Sequence, residues 1–290
     1  MNVQSLLQGH SKALYSTWIF YRPDRLLIDC GEGAATALGN NSYAIERVLL
    51  THGHIDHISG LPSLLWSRAS GMGDNEKPLE ICYPQDDGFV GDMISYIQKT
   101  AARLPFPLTW TPLETDARLS LSGKRELQTF ATKHIPNRLT LGYKIVETRR
   151  RLKPEFSSLS QEEIRHRATS HPAGGAALSE DYKAILAAFG GDGLALNADD
   201  ISNAELLFHE ATLLDAQERK SQWHSTLDEA IQTAIAAQVK TLVLYHFSGR
   251  YRTAEILEAI RQSKERHGAM LEIWVLLRDR LIDVSKNKLN

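Results

Sequence analysis

Cysteine is scarce in this chain: Cys30 and Cys82 are the only two among 290 residues. That excludes a disulfide framework, and a chain of this length buries enough of its unfolded surface to need none. The two thiols are most simply read as buried and reduced, with a pairing between them left open. Long apolar runs are also missing. No stretch of about 18 apolar residues suggests a membrane span, and Met1 to Arg22 lacks the basic start and continuous apolar core of a secretion signal. The expectation is a cytoplasmic protein with no membrane partner. Nor is either sign of charge in excess: 33 Lys and Arg against 35 Asp and Glu leave a formal net charge of -2. That argues against a generally basic nucleic-acid binder. A hydrophobic content of 42% with 23% charged residues is that of an ordinary globular protein. Length alone leaves one large domain or two small ones open.

What the chain does have is a concentration of metal-binding chemistry. Thr51-His52-Gly53-His54-Ile55-Asp56-His57 places three imidazoles and a carboxylate within six residues, directly behind the apolar run Arg47-Val48-Leu49-Leu50. Imidazole and carboxylate are the ligands a borderline divalent ion such as zinc prefers. Core packing gains nothing from crowding four such groups on one strand-to-helix turn, so the cluster predicts a metalloenzyme.

Local patterning predicts an α/β protein. Ser16–Tyr21 and Leu26–Asp29 read as a hairpin about Arg22-Pro23-Asp24-Arg25, and Gly31-Glu32-Gly33 opens a short helix. After the metal cluster come a helix at Ser59–Ser70, a strand at Leu79–Tyr83 and a helix at Asp87–Arg103 with Phe89, Met93, Ile94 and Ile97 on one side. Leu108–Leu113, Leu127–Ala131 and Leu141–Val146 are β-like. Ala184–Phe189, Leu206–Phe208 and Thr241–Tyr245 are short strands. Ser225–Val239 and Thr253–His267 are helices, the first opened by a capping box of Thr226 with Glu229. The stretch from Thr148 to Glu180 breaks this rhythm with Pro154, Pro172 and Gly174-Gly175, and reads as an arm inserted into a single domain spanning 1–290. Its basic run Arg149, Arg150, Arg151 and Lys153 is either a solvated face or a phosphate-contacting surface.

Each remaining conspicuous polar group lies just beyond an apolar strand. Asp192 follows Ala184–Phe189, His209 and Glu210 follow Leu206–Phe208, and His246 follows Leu242–Tyr245. Sites in α/β sheets collect where strands end, so these groups are expected on one rim.

These motifs taken together resemble a metallo-β-lactamase-fold hydrolase, most similar to the ribonuclease Z family of tRNA 3′-processing endonucleases. The resemblance rests on Asp29-Cys30-Gly31-Glu32-Gly33, on Thr51 to His57 continuing into Ser59-Gly60-Leu61-Pro62, and on His134 before Gly142-Tyr143. Gly191-Asp192, His209-Glu210-Ala211-Thr212, His224-Ser225-Thr226 and His246-Phe247-Ser248 complete it, in the family's order over nearly the whole chain.

The resemblance implies a four-layer αβ/βα sandwich with its site along one edge of two sheets. It implies that His52, His54 and His134 hold one divalent ion, that Asp56, His57 and His246 hold a second, and that Asp192 bridges them. The ions would be zinc, with manganese or iron as alternatives. Asp56 would accept a proton from the attacking water, and Glu210 with His224 would form a proton relay to the leaving oxygen. His209 is read as structural, and His10, His166, His171 and His267 are given no role. A precursor tRNA is the implied substrate and a homodimer the implied assembly. The chain departs from the family in three places. Gly-Asp-Gly stands for Gly-Asp-Thr at Asp192, and Gln8-Gly9-His10-Ser11 replaces a glycine-threonine turn. The arm at 148–180 is compact and lacks a glycine-proline motif. That last departure keeps two other readings in view: a phosphodiesterase of small or cyclic phosphoesters, and a catalytically silent binding protein.

Overall fold

A computed structural model describes residues 3–71, 77–101, 103–170, 174–219 and 223–286. Two sheets stand face to face. The first runs β1 (Leu7–Lys12), β2 (Ser16–Tyr21), β3 (Leu26–Ile28), β4 (Arg47–Leu49), β5 (Leu79–Pro84) and β6 (Leu108–Leu113), neighbours in that order. The second comprises β7 (Arg118–Ser120), β8 (Arg125–Thr132), β9 (Thr140–Leu152), β10 (Ser179–Phe189), β11 (Leu206–Glu210), β12 (Thr241–Tyr245), β13 (Glu272–Leu277) and β14 (Arg280–Asp283), again in sequence order across the sheet. The middle of each sheet is parallel: β3 to β6 in the first, β10 to β13 in the second.

Helices accompany both sheets, most of them on the outer faces. They are α1 (Val3–Leu6), α2 (Ala34–Leu38), α3 (Ile55–Ile58), α4 (Leu61–Gly71), α5 (Gly88–Thr100), α6 (Gln161–Ser170), α7 (Leu227–Ala236) and α8 (Thr253–Arg266). Strand residues alternate between layers as the period of two requires. Leu49, Phe208 and Val243 enter the core between the sheets. Their chain neighbours turn outward: Val48 and Leu50 meet α4 and α5 through Leu61, Leu64, Val90 and Ile97. Leu207, Leu242 and Leu244 meet α7 and α8 through Ile231, Ile256 and Ile260. Helix, sheet, sheet, helix is the expected four-layer sandwich.

Local chemistry fixes the helix starts that face the site. The Asp87 carboxylate accepts from the Phe89 and Val90 N–H groups at 3.0 and 3.2 Å, capping α5. The expected capping box of Thr226 and Glu229 is present on α7. On α5 the core stripe is Val90 and Ile97, with Met93 and Ile94 packed against it; Phe89, expected on one side with Met93, Ile94 and Ile97, is 43% exposed. Spacings of three and four residues put 90, 94 and 97 on one stripe, which leaves 89, 93 and 96 on the adjacent one. Phe89, Met93 and Tyr96 accordingly line a cleft beside His54.

The segment read as an arm begins as sheet. Strands β9 and β10 outrun their predicted ends at Val146 and Ala184 and pair to Leu152 and Ser179, with α6 beyond them. Arg151 lies opposite Glu180 and Arg150 opposite Asp181, so cross-strand ion pairs sustain a ribbon that has left the core. His171 and Pro172 lie outside the described residues.

Candidate metal centre

Both sheets deliver side chains to one edge. The loop after β4 carries His52 and His54, and α3 directly behind it carries Asp56 and His57; the loop after β8 carries His134; the loops after β10 and β12 carry Asp192 and His246; and Glu210 ends β11. The first loop is drawn against the end of β3 by hydrogen bonds from Cys30 N–H to the His57 carbonyl (2.7 Å) and from Gly60 N–H to the Cys30 carbonyl (2.8 Å). A Cβ on Gly31 would lie 2.4 Å from the Asp56 carbonyl oxygen, and one on Gly60 2.1 Å from that of Gly31. Only glycine permits this approach at both positions.

Two groups of donors result. His52, His54 and His134 converge, as do Asp56, His57, Asp192 and His246, with each group's donor atoms within 4.8 Å of one another. The rings of His52, His54 and His134 stand edge to face with centroids 4.7 to 4.9 Å apart. The His134 Nε2 and His54 Nδ1 atoms are 3.1 Å apart. In the second group the Asp192 Oδ2 atom lies 3.2 Å from His57 Nε2 and 3.0 Å from His246 Nε2. Asp56 Oδ2 is 3.6 and 3.5 Å from the same two nitrogens.

Hydrogen-bond accounting says which nitrogen of each ring is free. The Thr51 hydroxyl has one proton and gives it to the Asp29 carboxylate, at 2.9 Å from Oδ2. It therefore accepts from His52 Nδ1 (3.0 Å), which leaves a lone pair on His52 Nε2. Asp29 Oδ2 accepts from His57 Nδ1 at 2.8 Å. The Trp223 carbonyl accepts from His134 Nδ1 at 2.8 Å. The Thr212 hydroxyl gives its proton to Glu210 Oε2 (2.7 Å) and so accepts from His246 Nδ1 (2.9 Å). In all four rings the proton is pinned on Nδ1 and Nε2 faces the cluster, the arrangement metal-binding imidazoles adopt.

These free atoms are otherwise unexplained. His52 Nε2 and Asp192 Oδ1 are buried without a hydrogen-bond partner, and His57 Nε2 and His246 Nε2 face only the Asp56 and Asp192 carboxylates. Leaving such groups unpaired is costly. Divalent cations satisfy all of them at once, so the residues fit the metal centre the motif predicts. The charge balance agrees. Burial lowers the proton affinity of His57 and His246, but the facing Asp192 outweighs it and raises both, His246 to about 10. Burial likewise opposes ionisation of Asp192, yet His246 and His57 hold its carboxyl well below the usual range. The carboxylates of this pocket are thus held ionised against protonated imidazoles, a place that cations can take over.

Glu210 and His224 adjoin these groups, with His224 also converging with His134 and Asp192 and with Glu210 and His246. Glu210 is 1% exposed and fully engaged: Oε1 accepts from Gly193 N–H (3.0 Å), Ser225 N–H (3.2 Å) and His224 Nδ1 (2.7 Å), and Oε2 from Thr212. The His224 side chain keeps 21% exposure, and with Nδ1 held by Glu210 its Nε2 is the nitrogen left free. Burial lowers its pKa, the Glu210 hydrogen bond and charge raise it, and the net effect is upward. His209 is buried as expected, bonded through Nδ1 to the Glu210 carbonyl at 2.7 Å and accepting from Leu196 N–H at 3.3 Å.

The ribbon arginines are brought together with acids. Arg149 pairs with Glu147 and Glu205, Arg150 with Asp181, and Arg151 with Glu180. Sequence reasoning gave no role to Asp29, Thr51, Thr212 or the Trp223 carbonyl, although each orients a ring. Asp29 and Thr212 stand inside motifs already quoted, and a hydroxyl directly before His52 was the signal for Thr51.

Residues 10–167 match the family model described as Anti-Pycsar protein Apyc1. A protein named Ribonuclease Z from Bradyrhizobium sp. is 31% identical over 271 residues, covering 82% of this chain and 84% of its own. Among solved structures, the short form of human tRNase Z superposes with a TM-score of 0.64 at 22% identity, over 96% of this chain and 98% of its own. The metallo-β-lactamase fold protein YhfI from Bacillus subtilis gives 0.64 at 16%, over 96% and 99%. At such identities the two structures speak to the fold alone.

Proposed function

This chain belongs to the ribonuclease Z-like hydrolases of the metallo-β-lactamase fold, which makes it a metal-dependent phosphodiester hydrolase, and we propose that it cleaves precursor tRNA at the 3′ side. The observation that carries this reading is the set of buried Nε2 and Oδ1 atoms converging beside the Glu210–His224 pair. In this proposal His52, His54 and His134 hold one ion; Asp56, His57 and His246 hold a second; and Asp192 lies between them. Zinc suits this mixture of imidazole and carboxylate, with manganese or iron as alternatives. Bound there, divalent ions supply Lewis-acid charge to a phosphoryl group and acidify a water.

The protein's own groups do the rest. Asp56 is buried but ionised, placed to take the proton that the attacking water releases. His224 holds its proton on Nδ1 against Glu210, so only its Nε2 edge is available to a substrate. A protonated His224 can therefore deliver a proton to the departing 3′-oxygen, while Glu210 fixes the ring and stabilises its charge. Glu210 touches no substrate; it is a positioning residue. The same proposal includes a homodimer in which each ribbon serves the partner's cleft, which light scattering tests. No helix among the described residues is long and apolar enough to cross a membrane.

A second reading, a phosphodiesterase of small or cyclic phosphoesters, is favoured by the ribbon. Its Arg149, Arg150 and Arg151 already hold carboxylates, so an RNA phosphate would have to displace them, and Lys153 alone of that run carries no ion pair among the described residues. Incubating the metal-loaded protein with a precursor tRNA and with bis(p-nitrophenyl) phosphate decides between them. Cleavage of the precursor near its discriminator base supports the first reading; turnover of the small diester alone supports the second.

A further inference from the structure

Cations without a carboxylate partner also gather beside the metal loop, Lys12 among them with its Nζ 4.9 Å from the centroid of the Tyr15 ring. A cavity of about 350 Å³ opens next to His246, and Lys12, Arg250, Arg252, Arg278 and Arg280 all line it. No Asp or Glu is among its lining residues. Arg250 is paired with Glu218 and Arg252 with Glu255, but Lys12, Arg278 and Arg280 have no carboxylate partner among the described residues. The ribbon differs: the cavity at its root is lined by Arg149, Arg151, Lys183 and Lys240, with the Glu205 carboxylate among them. Positive charge is therefore balanced on the ribbon and in surplus on this rim. The nearest acid in sequence, Asp279, stands between Arg278 and Arg280 and does not line the cavity.

The rim is built onto the metal loop. His246 has a left-handed backbone (φ 61°), and its N–H donates to the Ser11 Oγ at 2.9 Å. Ser11 also exchanges both backbone hydrogen bonds with Arg278, at 3.0 and 2.9 Å. Ala13 N–H reaches the Phe247 carbonyl at 3.3 Å. Edge strand β1 of one sheet is thereby stitched to the β13–β14 turn of the other, directly beside the loop holding a candidate ligand. Phe247 and Ser248, the next two residues after His246, line the cavity. At about 3.8 Å between successive Cα atoms, the cavity begins within roughly 8 Å of the metal loop.

We propose that Lys12, Arg278 and Arg280 form a binding site for the phosphodiester backbone of a polynucleotide, holding a phosphate beside the one being cleaved. Unpaired Arg and Lys suit this ligand, because each phosphate they neutralise releases condensed counterions. The proposal rests on the phosphodiester-hydrolase reading and deepens it by naming a polymeric substrate.

The test compares wild type with the triple variant Lys12→Gln/Arg278→Gln/Arg280→Gln and with the ribbon variant Arg149→Gln/Arg150→Gln/Arg151→Gln. Binding of a fluorescent oligoribonucleotide is read by anisotropy from 50 to 200 mM salt, and bis(p-nitrophenyl) phosphate turnover is read on the same preparations. The rim variant is expected to lose tenfold or more in affinity and to flatten the log–log salt slope by about 0.7, the contribution of one single-strand phosphate contact. Its small-diester turnover should stay within about twofold of wild type. Unchanged affinity and slope, an equal fall in small-diester turnover, or a larger loss in the ribbon variant would overturn the proposal. Failure of the tRNA reading shows separately, as a wild-type protein that binds the oligonucleotide through this rim yet leaves precursor tRNA uncut.

Discussion

Asp29→Asn perturbs the orientation of His57 directly, and of His52 through the Thr51 hydroxyl, without replacing a donor that faces the cluster. Asp29 accepts from Thr51 N–H (2.7 Å), the Thr51 hydroxyl (2.9 Å) and His57 Nδ1 (2.8 Å). Its backbone is left-handed (φ 55°), a conformation asparagine tolerates as well as aspartate. An amide has one acceptor oxygen where the carboxylate has two. If that oxygen keeps the Thr51 N–H, the NH₂ faces His57 Nδ1 and can be satisfied only by a lone pair there. The ring proton then moves to Nε2, on the side aimed at Asp56 and Asp192. Loss of such an outer partner costs about 10- to 100-fold in metal affinity, or roughly 1.4 to 2.7 kcal/mol. Activity towards bis(p-nitrophenyl) phosphate, titrated against buffered free zinc, should show half-saturation displaced upward by that factor, with turnover at saturating metal recovering most of the wild-type value. A variant with unshifted metal dependence would refute the tautomer argument, and so would one whose turnover stayed low at every metal concentration while metal content remained full.

His54→Ala should lose metal retained through dialysis and all measurable turnover; full turnover in this variant would remove His54 from the centre. His224→Ala should keep its metal content by elemental analysis while losing about 10²- to 10⁴-fold in turnover, the usual weight of a general acid. Chelation should lower the melting temperature and metal should restore it, because an ion at 1,000 times its Kd stabilises the folded state by about 4 kcal/mol; calorimetry with and without chelator reads this directly. Burial pushes both thiols up, Cys82 to about 12, so at pH 8 neither Cys30 nor Cys82 should react with a thiol reagent until the protein is unfolded.

Much of this was legible in the chain, for physical reasons that differ by residue. Val48–Leu50 and Leu242–Tyr245 are apolar runs because parallel strands are buried on both faces, so the polar residue ending each run stood out. Thr226 and Glu229 announced a helix start through a local interaction that needs no tertiary context. Phe89 was misread because an apolar residue one position off the core stripe looks the same in sequence whether it fills a core or walls a cleft. The ribbon's extent was hidden because β9 beyond Val146 is sustained by ion pairs to residues some thirty positions away, not by apolar alternation. The free rim cations were invisible for the converse reason. Arg149, Arg150 and Arg151 are consecutive and conspicuous, but pairing neutralises them. Lys12, Arg278 and Arg280 lie at opposite ends of the chain and meet only where β1 crosses to the β13–β14 turn.

The centre also has an internal logic that neither sheet shows alone. At the edge of the first sheet, the Asp29 carboxylate takes the proton of the Thr51 hydroxyl and orients His57, while the same hydroxyl orients His52. At the edge of the second, the Glu210 carboxylate takes the proton of the Thr212 hydroxyl and orients His224, while that hydroxyl orients His246. Each sheet thus contributes one buried carboxylate–threonine couple, and each couple fixes two imidazoles. A hydroxyl is suited to this because its single proton, once committed to the carboxylate, leaves it only able to accept. The two couples differ in what their rings then face. Those of the first sheet and His246 turn Nε2 toward the buried donor cluster, whereas in His224 it is the nitrogen left free. The same device that fixes three buried rings beside the donor cluster therefore fixes the fourth, which keeps 21% of its side chain exposed.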